Sequence, residues 1–258
     1  MGINMKKHLL GLLIVVLLAL LATQIVYEHG YGYDWRGCFR PATLDWRTPY
    51  RHPGNYNPPW MYLILHPLAL LPEKAGLAVL LTLSLGAVFA CVGDPLKALI
   101  CAAGAPVIIV MLEGQVDGLL LWGLLLPPAI GVPLALTKPQ GLFLAASRRL
   151  SRGVVVALVI VVIGSLIAWG WWPGEMLLGE VSGRRTFLPW GILPGAVLAV
   201  TGYQKRSDGL LCLASLCLSP YWSPASLLPA MAFLAKDLEW WHCILLSVAS
   251  WVFVLAVR

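Results

Sequence analysis

The sequence predicts an all-α, polytopic integral membrane protein, and three observations lead there. Fifty-nine per cent of the 258 residues are hydrophobic and only 12% are charged, about half the charged fraction of an ordinary soluble domain. The mean hydropathy is +0.81. The apolar residues also come in runs close to the length of a membrane span, broken at Pro, Gly and short charged clusters. So few charges cannot cover the chain with a water-facing surface, and the same composition excludes disordered and fibrous classes. The net charge of +6 is read first as membrane topology, and no nucleic-acid partner is expected.

Taken in order, Met5-Lys6-Lys7 followed by the apolar run 8–26 reads as a first transmembrane helix with a cytoplasmic N-terminus. A cleaved signal peptide is disfavoured, since the run is long enough to span a bilayer and no small-x-small site follows it. Residues 27–58 then form a long outer loop. Further helices are predicted from Pro58-Pro59 to about Pro72, over 75–92, over 97–112 and over 116–127. A segment at 129–146 is interrupted at Lys138-Pro139. Several of these pieces fall below the roughly 17 residues of a full span, which marks broken or re-entrant helices. The cluster SRRLSR at 147–152 reads as a cytoplasmic loop, as does Gln204-Lys205-Arg206. Between them lie spans at 153–172 and 187–202, joined by an outer loop carrying Glu175, Glu180, Arg184 and Arg185. Segments 209–219 and 224–235, joined by SPYWSP, and a last helix at 240–257 complete nine to eleven membrane segments in one transmembrane domain, 1–258.

The outer loop is where chemistry concentrates. It holds Glu28, Asp34 and Asp45, the arginines 36, 40, 47 and 51, two histidines and a run of aromatics. Aromatic faces stack on sugars and guanidinium groups match phosphate geometry; the same set also suits an interfacial aromatic belt with solvated charges. Five of the six cysteines lie in apolar stretches as small buried hydrophobes and Cys38 stands alone in the loop. No metal-ligand spacing, P-loop, HExxH or Gly-x-Ser-x-Gly motif is present, so neither cofactor nor metal is expected.

The order of short stretches adds a resemblance. Asp34-Trp35-Arg36, Pro41-Ala42, Thr48-Pro49-Tyr50 and Tyr56-Asn57-Pro58-Pro59 precede an apolar helix ending in Pro67-Leu68-Ala69-Leu70-Leu71-Pro72. Glu113-Gly114-Gln115-Val116-Asp117, Leu136-Thr137-Lys138-Pro139 with Arg148-Arg149, and Leu218-Ser219-Pro220-Tyr221-Trp222 follow. In this order the stretches resemble GT-C-type glycosyltransferases of family 87, the polyprenol-phosphate-mannose-dependent mannosyltransferases and their relatives. The resemblance implies a GT-C-like helical bundle that moves a hexose, such as mannose, from a polyprenyl-phosphate donor to an acceptor glycan, lipid or protein at the outer membrane face. It further implies that Asp34 is the base acting on the acceptor hydroxyl, with Asp45 as second candidate. An inverting transfer needs one base on the attacking side and positive charge near the leaving phosphate.

Lys138 sits in an otherwise apolar segment, where an ionisable group points to function and to a partner; a lipid-phosphate oxygen is the expected one. Gln115 and Asp117 suit hydrogen bonding to sugar hydroxyls and helix capping equally, and Arg51 and His52, beside Arg47, suit holding phosphate. Tyr56, Asn57 and Trp222 are counted with the substrate-binding residues, Trp222 as a ring that stacks on a sugar or, as Trp more commonly does, anchors the interface. The chain departs from the family pattern in its length, in lacking histidines after Trp222 and in carrying Asn57 before the Pro-Pro pair. Two alternatives stay open: a transporter of lipid or small molecules, and a non-catalytic subunit of a larger membrane complex built on the same fold.

Overall fold

The computed structural model describes residues 5–52, 54, 55, 57–178 and 187–256, and every element among them is helical. Helix α1 (Met5–Glu28) leads into a π-helical turn (Asp34–Phe39) continuous with α2 (Arg40–Leu44). Then come α3 (Trp60–Ala69), α4 (Glu73–Val92), α5 (Pro95–Ala102), α6 (Ala105–Glu113), α7 (Asp117–Leu125), α8 (Pro128–Ala135) and α9 (Phe143–Ser147). The chain continues through α10 (Arg152–Trp169), α11 (Trp172–Leu178), α12 (Ile192–Lys205), α13 (Asp208–Leu218), α14 (Leu228–Asp237) and α15 (Trp240–Ala256). Residues 27–58, read from the sequence as a loop, are therefore half helical.

Punctuation in the sequence sets these boundaries. Asp94 accepts from Lys97 N at 2.9 Å to cap α5, and the side chains of Ser151 and Ser207 cap α10 and α13. Gly93 ends α4 and Gly114 ends α6, both at positive φ. Prolines cut the remaining apolar sequence. As a result three helices among the described residues are long and apolar enough to cross a membrane: Leu9–Glu28, Glu73–Val92 and Arg152–Trp169. A fourth span results if α5 and α6, bent by 67°, are counted as one. The nine to eleven segments read from the sequence become these, plus shorter apolar helices at Trp60–Ala69, Asp208–Leu218 and Trp240–Ala256.

Helix α4 is the centre, packed against α1, α3, α5, α7 and α14. Its rows Leu77, Leu80, Leu81, Leu85 and Val88 are fully covered and belong to one core cluster that extends through α14. At the periphery, Leu9, Leu13, Leu17 and Leu20 of α1, Val156, Ile160 and Ile167 of α10, and Leu245, Val252 and Leu255 of α15 stand exposed. So many exposed large apolar side chains would be costly in water and are ordinary in lipid. Several of these apolar helices could therefore span a membrane.

The polar groups divide between two ends of the bundle, separated by the roughly 30 Å length of α4, which is close to a hydrocarbon-core thickness. At one end Arg148 and Arg149 bind Asp208 at 2.8 and 3.1 Å, and Arg149 also donates to Leu124 O. At the other, Trp35 is fully buried and donates to Glu73 O at 3.3 Å, while Glu73 receives Arg36 and Tyr27. The loop that carries Asp34 is thus fastened to the start of α4.

Candidate functional site

Helices α7 and α8 form a tight hairpin through Pro127-Pro128. A Cβ on Gly123 would meet Ala135 N at 2.5 Å, and one on Gly131 would meet Gly123 O at 2.2 Å, so small residues let the two backbones touch. The helices have nine and eight residues, and Ala135, the last residue of α8, packs on Gly123. Beyond it Pro139 disfavours continued helix for the residue before it, and Lys138 is extended at φ −145° and ψ 77°. Its ammonium comes back beside the first turn of α7, where Asp117 sits on a helix N-terminus that favours a carboxylate. Lys138 Nζ donates to Asp117 Oδ2 at 2.5 Å and to Gln115 Oε1 at 3.1 Å.

The third strand of the site comes from the outer loop. Gly32, at φ +84°, donates its N–H to Leu112 O at 2.8 Å, which ties the loop to the end of α6. Gly114, at φ +69°, turns the chain away from α6 directly against Trp35; a Cβ there would lie 2.6 Å from Trp35 Cβ. Only glycine combines that backbone conformation with that approach. The turn sets Gln115 beside Asp34, and Gln115 Nε2 donates to Asp34 Oδ2. One amide thus bridges the two charged residues, donating to the carboxylate and accepting from the ammonium, which fixes its orientation.

The network Asp34–Gln115–Lys138–Asp117 is largely removed from solvent: Lys138 is 8% exposed, Asp117 2% and Gln115 9%. Burial pushes the Asp34 carboxyl up to about 6, and the neighbouring charge of Glu113 adds to the rise while Lys138 opposes it. At neutral pH Asp34 is mostly ionised yet a far better proton acceptor than a solvated aspartate. Two of the three N–H donors of Lys138 are used by Asp117 and Gln115; an ammonium has a third.

Four residues singled out from the sequence are therefore brought together, with partners that differ from those expected. Lys138 pairs with Asp117 instead of awaiting a phosphate alone, because a lysine buried to this extent needs a compensating charge from the protein. Asp117 and Gln115, read as binding hydroxyls or capping a helix, have their side chains engaged by Lys138 and Asp34. Asp45 belongs to a separate group, accepting from Thr48 Oγ1 at 2.8 Å and lying 3.4 Å from His52 Nε2. Arg51 lines a separate cavity of about 220 Å³ with Arg47, Tyr50, Trp169 and Glu175. Asn57 is 6% exposed, and its backbone carbonyl accepts from Tyr50 Oη at 2.9 Å. Trp222, read as a sugar-stacking ring or an interface anchor, is 4% exposed and stacked on Phe187 and Phe253, with centroids at 4.8 and 5.6 Å. Tyr56, Glu180, Arg184 and Arg185 lie outside the described residues.

Some contributors were missed in the sequence. Glu113 acts on Asp34 and Tyr221 on Lys138 electrostatically; both lie within stretches singled out for other residues. Gln140 Nε2 and Trp222 Nε1 are buried donors without a hydrogen-bond partner among the described residues. Their segments pack together, Gly141 lying against Ser226 O. All six cysteines are free, and among the described residues no His/Cys/Asp/Glu cluster could hold a metal. No protein-family model, no curated protein and no solved structure matches this chain.

Proposed function

We propose that the protein is a multi-pass membrane glycosyltransferase of GT-C, family-87-like type, moving a hexose from a polyprenyl-phosphate donor to an acceptor hydroxyl at the outer face. The observation that carries this reading is the Asp34–Gln115–Lys138 bridge, which sets a carboxylate with raised proton affinity within one amide's length of a buried ammonium. Glycosyl transfer from a lipid phosphate needs such a pair, a base for the acceptor and positive charge for the departing phosphate.

In the proposed step an Asp34 oxygen takes the acceptor hydroxyl proton while the hydroxyl oxygen attacks the anomeric carbon. The bond from that carbon to the phosphate oxygen breaks, and the electron pair leaves with the lipid phosphate. Lys138 offers its remaining N–H to a phosphate oxygen. Asp117 keeps Lys138 charged and aimed. The basic clusters at Arg148–Arg152 and Lys205-Arg206 fit a cytoplasmic end, with the N-terminus on that side and the Asp34 loop outside. Exposed Trp171 and Trp190 at one end and Trp240 and Trp241 at the other fit interfacial belts.

The test uses purified protein in detergent with a polyprenyl-phosphate hexose and a panel of glycoside acceptors, comparing wild type with Asp34→Asn. Donor-dependent transfer that falls at least about a hundredfold in the variant supports the assignment. Transfer that survives unchanged removes Asp34 as the base. Absence of transfer with every donor would favour the non-catalytic subunit.

A further inference from the structure

Three segments of the chain meet on Glu73, the first residue of α4. Its Oε1 accepts from Tyr27 Oη, near the end of α1, at 2.8 Å and from Arg36 Nε at 3.1 Å. Its Oε2 lies 3.8 Å from Arg40 Nη1, and its carbonyl accepts from Trp35 Nε1 at 3.3 Å. The Arg36 guanidinium also sits over the Tyr27 ring, 5.1 Å from its centroid. Trp35 and Arg36 directly follow Asp34 in the π-helical turn, and Arg40 opens α2 behind it. The next turn of α4 completes the seat. A Cβ on Gly76 would lie 2.9 Å from Trp35 Cζ2, and one on Gly114 would lie 3.2 Å from Leu77 Cδ1. Gly114 precedes Gln115, so the first turns of α4 carry the chain neighbours of both members of the Asp34–Gln115 hydrogen bond.

We propose that Glu73 is a positioning residue: its carboxylate clasps Arg36 and Tyr27, and through that clasp it holds Asp34 at the buried network. The inference rests on the glycosyltransferase reading and deepens it by naming what keeps the base in place. π-Helical turns are rare and recur at functional sites; this one is fixed from outside, by charge-assisted bonds to α4. Asp34 faces Gln115, Asp117, Lys138 and Glu113 across the site and Cys38 on its own turn. Burial, Glu113 and Asp117 raise its proton affinity by more than Lys138 and Gln115 lower it. A released turn loses these influences together, so Asp34 moves back towards a solvated aspartate, at about 4.

The experiment uses charge-conserving variants, so that any change comes from geometry. Glu73→Asp withdraws the carboxylate by about 1.5 Å, and Arg36→Lys replaces a planar fork by a point charge. Asp34 is titrated in detergent without substrate, as the infrared carboxyl band that Asp34→Asn removes. The midpoint is expected at about 6 in wild type and at about 5 or below in both variants. Either change opens the same clasp, so the double variant should match the singles. Midpoints that stay at the wild-type value in both variants overturn the proposal. With a polyprenyl-phosphate hexose, kcat is expected to fall about tenfold at unchanged donor KM, and the midpoint of the pH–rate profile should move down with the infrared one. A uniform loss of rate with an unmoved midpoint marks a merely structural Glu73 and also overturns the proposal. An infrared shift in a protein that transfers from no donor supports the positioning of Asp34 and overturns the transferase reading alone.

Discussion

Replacing Lys138 by Met keeps the length and apolar stem of the side chain and deletes only its charge, which makes it the sharpest probe of the buried network. Asp117 is 2% exposed and its carboxylate oxygen lies 2.5 Å from the ammonium. With the cation gone it becomes an uncompensated buried charge, and breaking a buried pair from one side costs about 3–5 kcal/mol. For a chain of this length each kcal/mol moves the unfolding midpoint by roughly 2–4 °C, so a drop of roughly 6–20 °C is expected. Lys138→Met/Asp117→Leu removes both charges, and much of the loss should return, since an apolar pair of similar volume can replace a buried ion pair at little cost. The assay is thermal unfolding in one detergent at fixed pH, read by tryptophan fluorescence for wild type, both single variants and the double. A Lys138→Met loss below about 1 kcal/mol, as for an exposed pair, would refute the reasoning. So would a double variant as unstable as the sum of the singles, because it would show no coupling.

Other outcomes follow from the same geometry. Because the Asp34 carboxyl is raised to about 6 and acts ionised, turnover should climb about tenfold per pH unit below 6 and level off above it, as an initial-rate pH profile will show. The folded carboxyl binds its proton more tightly than the unfolded one, so its contribution to stability falls as pH rises from about 4 to about 6. Asp34→Asn should flatten that part of a melting-temperature pH series. Lys138 lowers the proton affinity of Asp34, so any residual activity of Lys138→Met should have its pH midpoint shifted upward. Gly114→Ala, at φ +69° and 2.6 Å from Trp35 Cβ, should cost at least about 1–2 kcal/mol from the left-handed backbone alone; a midpoint within experimental error of wild type would contradict the role given to that turn.

Most helix boundaries were legible because their signals are local. Asp94, Ser151 and Ser207 cap their own helices, Gly93 and Gly114 terminate theirs, and Pro58-Pro59, Pro95 and Pro128 mark starts that need no distant partner. The helicity of the Asp34 loop was not legible. Its aromatics could equally have faced solvent, and only docking of Trp35 on Glu73 and Gly114 shows which of them is core.

The composition of the site was readable, since Asp34, Gln115, Asp117 and Lys138 are polar residues at interruptions of apolar sequence, where burial demands a reason. Their pairing was not. Lys138 meets Asp117 because α7 and α8 cross on Gly123 and Gly131 and the chain leaves the helix before Pro139. Asp34 meets Gln115 because a left-handed glycine turns the chain against Trp35. Composition and local punctuation thus determined that the chain is helical and apolar, and where its helices begin and end, because those properties depend on neighbours a few residues away. Which charge faces which, and which tryptophan is buried in a stack, was decided only by tertiary packing, because those contacts join residues 21 to 81 positions apart whose distances no local preference fixes.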